Sequence, residues 1–333
     1  MAVGEGKLPA LHPIEGFRLG TASAGVKTPG RLDLVVMEIC EGASVSGVFT
    51  RNAFCAAPVQ VAKQHLNTSD CRYFVTNTGN ANAGTGEQGL LDSQSTCESL
   101  ASLTGVDGSQ VLPFSTGVIG EPLPVNKITA ALPDAIAALD VEAWSQAATG
   151  IMTTDTRPKA ASTQIEYQGQ LISITGIAKG AGMLKPNMAT MLAYIATDAA
   201  IAPSLLQLMI NTAVNSSFNR ITVDGDTSTN DACMLVATGK AALAQLSSKN
   251  EPLYPLLQDA ITSVFIDLAQ GLVRDGEGAS KFVTVQVSGG KTEQECLAVA
   301  YTVAESPLVK TALFASDPNW GRLLMAIGRA GVD

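Results

Sequence analysis

The 333 residues carry a net charge of −9, with 15% charged and 46% apolar side chains, enough to fill a large core and too apolar for a disordered chain. An acidic chain without a Lys/Arg run has no field to condense on a phosphate backbone, which excludes nucleic acid as a partner. The opening MAVGEGKLPALHPIEG has neither the basic nor the apolar part of a signal peptide, and no run approaches about 18 apolar residues, so a cytoplasmic location without a membrane partner is expected.

In chain order, the apolar runs 32–39 and 45–49 predict strands, and 72–76 predicts a strand feeding the loop Asn77-Thr78-Gly79-Asn80-Ala81-Asn82. A helix is expected over 90–103, then a short strand over 111–114 leading into Ser115-Thr116-Gly117-Val118-Ile119-Gly120, then helices over 126–139 and 142–152. Residues 163–177 alternate as a hairpin about Tyr167-Gln168-Gly169-Gln170. Beyond it, the glycine-rich, proline-broken stretch from Lys179 meets a buried-strand pattern at Thr190. Ser204 is a candidate cap for a helix through Ser217, and the polar loop 223–231 precedes another strand. Leu257, Ile261, Val264, Phe265, Leu268 and Leu272 recur at helical spacing, and 282–287 reads as a strand. Irregular alternation with local hairpins favours α+β layers over a doubly wound sheet.

The chemistry-bearing residues are few. Six cysteines are scattered without a C-x-x-C pair, which fits buried thiols, and His12 and His65 are the only histidines, so neither a metal cage nor a histidine-based triad is expected. Gly289-Gly290-Lys291-Thr292 imitates the end of a phosphate-binding loop, but the first glycine of that motif would fall at Val285. Asp224 and Asp226 are too few for a metal site, and the Asn/Gly block 77–89 and the loop 224–231 are read as turn formers.

Thr190 is different. If the peptide bond between Ala189 and Thr190 is cut, the freed α-amino group, with an ordinary pKa of about 7.7–8.0, can take the proton of the adjacent hydroxyl and make it a nucleophile. The Thr190 hydroxyl attacking the Ala189 carbonyl would give an ester that water opens. The same residues also fit a buried strand preceded by a turn.

The Lys179–Thr197 segment resembles the cleavage motif of the ornithine acetyltransferase family, the bifunctional glutamate N-acetyltransferases of arginine biosynthesis. The resemblance extends over essentially the whole chain, through Gly47-Val48-Phe49-Thr50, Asn77–Asn82 with Gly84–Gly89, Ser115–Gly120, Met152-Thr153-Thr154-Asp155-Thr156 and Asp317-Pro318-Asn319-Trp320-Gly321-Arg322. It implies a layered α-β-β-α sandwich, cut into an α-chain of residues 1–189 and a β-chain of residues 190–333, with Thr190 as nucleophile and acetyl carrier. It further implies Thr116 and Gly117 as the oxyanion pair and Thr153, Lys179 and Glu277 as substrate contacts, Lys179 for charge recognition and Glu277 for an amino group. Without the resemblance, Thr116 and Gly117 read as a strand-ending turn, Lys179 as a solvated loop charge and Glu277 as a turn residue.

The implied activity moves acetyl from N-acetylornithine to glutamate without a metal or bound cofactor, with acetyl-CoA as a possible donor, in a dimer of αβ units. Family members continue beyond the Trp320-Gly321-Arg322 region, so the chain is expected to lack a C-terminal tail that supplies further substrate contacts. The rival readings are a self-processed threonine amidohydrolase or aminopeptidase, in which water resolves the acyl-enzyme, and a non-catalytic truncated relative.

Overall fold

The computed structural model describes residues 2–185 and 191–332. Its strands are β1 (Phe17–Ala22), β2 (Leu34–Ile39), β3 (Ser44–Phe49), β4 (Tyr73–Asn80), β5 (Val111–Val118), β6 (Lys159–Tyr167), β7 (Gln170–Lys179), β8 (Leu192–Thr197) and β9 (Ala232–Ala237). They form two sheets, ordered β1-β2-β4-β5 and β3-β9-β8-β7-β6. Neighbours run antiparallel except for β4 beside β5 and β8 beside β9.

The helices are α1 (Ala57–Thr68), α2 (Gly86–Thr104), α3 (Val125–Ala137), α4 (Trp144–Gly150), α5 (Pro203–Ser216), α6 (Leu253–Arg274), α7 (Glu293–Ala304), α8 (Pro307–Phe314) and α9 (Trp320–Gly328). Helices α2 and α3 cover the outer face of the first sheet, and α5 and α6 that of the second. The result is the expected α-β-β-α order of layers.

Strand periodicity explains why the sheets stack. In β2, Val35, Met37 and Ile39 face the second sheet while Leu34 and Val36 face the helices; in β8, Leu192, Tyr194 and Ala196 point inward while Ala193 and Ile195 meet α5 and α6. A strand covered on both faces must be apolar at every position, and all six residues of β8 and of β9 are buried. Between the sheets the rings of Phe114 and Tyr194 lie 5.3 Å apart and those of Phe74 and Phe114 5.5 Å apart. The Tyr194 hydroxyl is satisfied by Thr76 Oγ1 across the sheets at 2.8 Å, so this core admits a polar atom without leaving it unpaired.

By length and composition α6 is the one helix among the described residues long and apolar enough to cross a membrane. Its stripe from Leu257 to Leu272 is instead buried against the second sheet, as the helical spacing predicts.

Several expectations change. Strands β4 and β5 run on to Asn80 and Val118 instead of ending at 76 and 114, because their parallel pairing continues through residues predicted as loops. Buried polar side chains are satisfied there: Ser115 Oγ donates to Asn77 Oδ1 at 2.6 Å, and Asn77 Nδ2 to the Asn80 carbonyl at 2.9 Å. Helix α5 starts behind Ala202 with Pro203 in its first turn, so Ser204 is not the cap; proline's fixed φ and missing N–H suit that position. Residues 282–287 form no strand, because alternation alone does not supply a neighbour for their backbone groups. Sequence periodicity also passed over β1, α1 and α7 to α9.

The residues that imitated a phosphate loop have a local role. Thr292 caps α7 reciprocally: its hydroxyl accepts from Glu295 N at 3.2 Å while the Glu295 carboxylate accepts from Thr292 N at 3.3 Å. Thr292→Ala is expected to remove about 1 kcal/mol of local stability. Amide exchange should accelerate across α7 and stay unchanged in β8 and β9.

Candidate active site

Strands β5 and β7 end, and β9 begins, at one side of the double sheet. A cleft of about 550 Å³ opens there, lined among others by Thr116, Gly117, Thr153, Lys179, Asp231 and Glu277. All five described residues expected at the site thus share one cavity, although they come from β5, the segment after α4, β7 and the segment after α6. Ala189 and Thr190 lie outside the described residues. On the near side of them, Met183 N and Leu184 N donate to Asp224 at 2.6 and 2.9 Å. On the far side Met191 is buried, and its carbonyl accepts from Ala232 N at 3.0 Å.

Thr116 is buried and Gly117 exposed at the end of β5, where the register against β4 slips at Gly79 and Asn80. Gly117 has φ of +138°, and a Cβ on it would stand 2.3 Å from the Gly79 carbonyl carbon. Only glycine allows that approach. A hydroxyl and a glycine backbone are thereby brought to the rim of the cleft, a donor set suited to an oxyanion.

Behind Thr153, Lys179 and Glu277 lies a buried ionic cluster that the sequence does not signal. Lys159 Nζ is paired with both Asp155 and Asp275, the latter at 2.6 Å, and all three side chains are almost completely shielded from solvent. Asp155 also accepts from Thr153 N at 2.9 Å and Gly180 N at 2.8 Å, while Asp275 accepts from Thr156 N at 2.9 Å and from the Thr156 hydroxyl. The cluster therefore fixes the segments that carry Thr153, Lys179 and Glu277 relative to one another. Glu277 is held further by its N–H donating to the Ala181 carbonyl at 2.7 Å, and its carboxyl lies so close to Gly182 that a Cβ there would come within 2.8 Å.

The electrostatics divide the aspartates. Burial alone would raise the Asp155 carboxyl, but Lys159 and Lys179, with the hydrogen bonds it accepts, hold it below the usual carboxylate range. For Asp275 the same burial is outweighed by its bonds from Lys159 and Thr156. Burial pushes Lys179 down, against the opposing pull of Asp155 and Asp231. Burial also pushes Asp231 well above its usual range, and Ser228 and Lys179 only partly offset it.

Other candidates separate from the cleft. Neither histidine lines it; His65 Nδ1 is engaged with the Val111 carbonyl at 2.7 Å. Cys71, Cys97 and Cys233 are buried, and burial raises their thiols. Asp224, weighed as a metal ligand, instead spends its oxygens on the amides of Met183, Leu184 and Asp226. In the sequence alone, Asp231 reads as part of a turn. The available signal was its position between a polar loop and a fully apolar strand, where a carboxyl is carried inward with the chain.

The chain matches the ArgJ family over residues 18–333. It is 63% identical over 332 residues to the arginine biosynthesis bifunctional protein ArgJ of Pseudomonas syringae pv. tomato, a match spanning 100% of this chain and 82% of that protein. It is 56% identical over 334 residues to the protein of that name from Psychrobacter arcticus, with the same two shares. A crystal structure of the arginine biosynthesis bifunctional protein of Bacillus halodurans is 34% identical over 53% of this chain and 92% of that one, with a TM-score of 0.48. With a family match over nearly its full length and relatives of this identity, the chain belongs to the ArgJ family.

Proposed function

We propose that this protein is a self-cleaving acetyltransferase of arginine biosynthesis, moving acetyl from N2-acetyl-L-ornithine to L-glutamate through an acetyl ester on Thr190. The observation that carries the reading is the convergence of Thr116, Gly117, Thr153, Lys179 and Glu277, from four separate segments, on one cleft. Membership of the family gives the reaction class, and the cleft has groups to perform it.

After the Ala189–Thr190 bond is cut, the new α-amino group accepts the hydroxyl proton as Thr190 Oγ1 attacks the acetyl carbonyl. Negative charge gathers on the carbonyl oxygen, where the Thr116 hydroxyl and a Gly117 backbone donor stabilise it by about 3–4 kcal/mol. Collapse breaks the C–N bond, the proton passes to the departing nitrogen, and the amine of glutamate then attacks the ester. Lys179 is suited to the substrate carboxylate and Glu277 to an ammonium group, with Thr153 beside Lys179 at a long 3.5 Å. The reaction needs no resident cofactor, and acetyl-CoA is an alternative donor. The cut chains, 1–189 and 190–333, stay together as a dimer of αβ units in the cytoplasm.

Intact mass measurement tests the reading. The protein should give two polypeptides corresponding to residues 1–189 and 190–333, and Thr190→Ala a single uncut chain without transfer activity. One uncut chain in both would sink the proposal, and glutamate-independent release of acetate would reassign the site to a hydrolase.

A further inference from the structure

Asp231 occupies an unusual place in the cleft. It is the residue before β9, and its backbone carbonyl accepts from Thr50 N at 3.0 Å. The turn before it is stitched to the first sheet by Asn230 Nδ2, which donates to the carbonyls of Ala81 at 2.5 Å and Ser115 at 3.0 Å. Its side chain is thus delivered by both sheets to their common end. It is only 3% exposed, and its Oδ2 has no hydrogen-bond partner among the described residues. A buried, unpaired carboxyl oxygen on a residue that lines a substrate-sized cleft is a costly arrangement that a bound donor would relieve.

The other charged groups around the cleft are committed or lie at its rim. Asp33 accepts from Ala24 N at 2.6 Å and Val26 N at 2.7 Å, and Arg31 donates to the carbonyls of Met152 and Thr153. Asp224 serves the 183–184 amides, and Asp155 serves Lys159 and two backbone groups. Lys27 and Glu277 are exposed. That leaves Lys179, whose ammonium has the single long contact to Thr153, and Asp231. In the register of the second sheet Lys179 stands beside Leu192 and Leu192 beside Ala232, so Lys179 and Asp231 straddle the start of β8, one strand to either side. An ammonium and a carboxyl facing one cleft without closing on each other suit an amino acid, which brings a carboxylate and an amine to the same carbon.

We propose that Asp231 is a catalytic acid–base of this cleft, its Oδ2 exchanging a proton with the amino group of the substrate that leaves and then with that of the substrate that enters. The proposal rests on the acetyl-transfer reading given above. Asp231 begins as the neutral acid, the form its burial favours. As the acetyl C–N bond breaks, the nitrogen of ornithine takes the former Thr190 hydroxyl proton, then the Asp231 proton, and departs as an ammonium ion, leaving a carboxylate. Glutamate arrives with an α-ammonium group and returns one proton to Asp231. Its neutral amine attacks the acetyl ester, the C–N bond forms, the bond to Thr190 Oγ1 breaks, and a second amine proton goes to that oxygen. Asp231 is restored as the acid, and no external acid or base is consumed. The contrast with Asp155 supports the assignment: both carboxyls are buried near Lys179, but the one paired with Lys159 is held low, while Asp231, bonded by Ser228 and with Oδ2 unpaired, is pushed up by its burial.

The test compares wild type, Asp231→Asn and Asp231→Ser in three assays. Both variants should still separate into the two chains, because cleavage is not assigned to Asp231. Transfer from N-acetylornithine to glutamate should fall about 100-fold in kcat with KM changed far less, and the wild-type alkaline limb of the kcat–pH profile, where the Asp231 acid loses its proton, should flatten while the acidic limb set by the Thr190 α-amino group remains. The burst of nitrophenolate from p-nitrophenyl acetate should keep its wild-type rate, since that leaving group departs without a proton. Unchanged kcat in cleaved variants, an equal fall in the nitrophenolate burst, or loss of cleavage in both variants would overturn the proposal and leave Asp231 a structural residue. An uncut wild-type chain would instead strike the acetyl-transfer reading on which it rests.

Discussion

Lys159→Met is expected to lower folding stability by about 3–5 kcal/mol at pH 7, because it leaves Asp155 and Asp275 buried as unpaired charges. The measurement is urea denaturation on the uncut Thr190→Ala background, so that one chain unfolds. Both carboxyls have folded pKa values below their ordinary one. Their contribution is therefore complete above the unfolded carboxylate pKa of about 3.9 and fades as pH falls through the lower folded values. The gap between variant and parent should be widest near neutrality and narrow below about pH 4. A gap independent of pH would mean that lost packing of the lysine stem, and not its charge, sets the cost. Transfer activity should fall with stability, since Asp155 also accepts the amides of Thr153 and Gly180.

Gly117→Ala should be more damaging to catalysis. The added methyl would run into the Gly79–Asn80 peptide, 2.3 Å from the Gly79 carbonyl carbon and 2.5 Å from Asn80 N, and the residue would keep a φ of +138° that side chains rarely adopt. That peptide is backbone and cannot rotate away as a side chain would, so the β4–β5 irregularity must open. We expect a loss of about 3 kcal/mol or more of stability and, if Thr116 and Gly117 form the proposed oxyanion site, about 10²–10³ in kcat as those donors move. Gly120→Ala is the control: it also has a positive φ, +85°, but nothing lies within 4 Å of its Cβ, and about 1 kcal/mol is expected. Equal effects of the two substitutions would show that φ alone matters and that the close approach to Gly79 does not shape the site.

Much of the architecture was legible locally. The 163–177 hairpin, the buried runs that became β2 and β8, and the stripe of α6 each depend on side chains two to four residues apart, and such spacing reports burial directly. The expected contacts Thr116, Gly117, Thr153, Lys179 and Glu277 came from short motifs whose resemblance extends over the whole chain, and they do line one cleft. Local spacing failed where an outcome depended on a partner far along the chain. Residues 77–80 and 115–118 look like turns but remain strand because each pairs with the other, and 282–287 looks like a strand but finds no neighbour.

By itself, then, the sequence determined α+β layers and the apolar faces that stack them, because these follow from local periodicity, while the α-β-β-α order and the short motifs of the site were what its family resemblance implied. Only the tertiary structure decided which polar residues are buried and what they meet. Lys159 finds Asp275 at a separation of 116 residues, and Asp231 reaches the cleft because Asn230 is bonded to Ser115, 115 residues earlier. A carboxylate on a loop and one in a core are the same letter in the sequence. Folding distinguishes them by desolvation and by the partners it supplies: Asp155 and Asp275 receive a lysine and backbone amides, and Asp231 is left with an unpaired oxygen at the wall of the cleft.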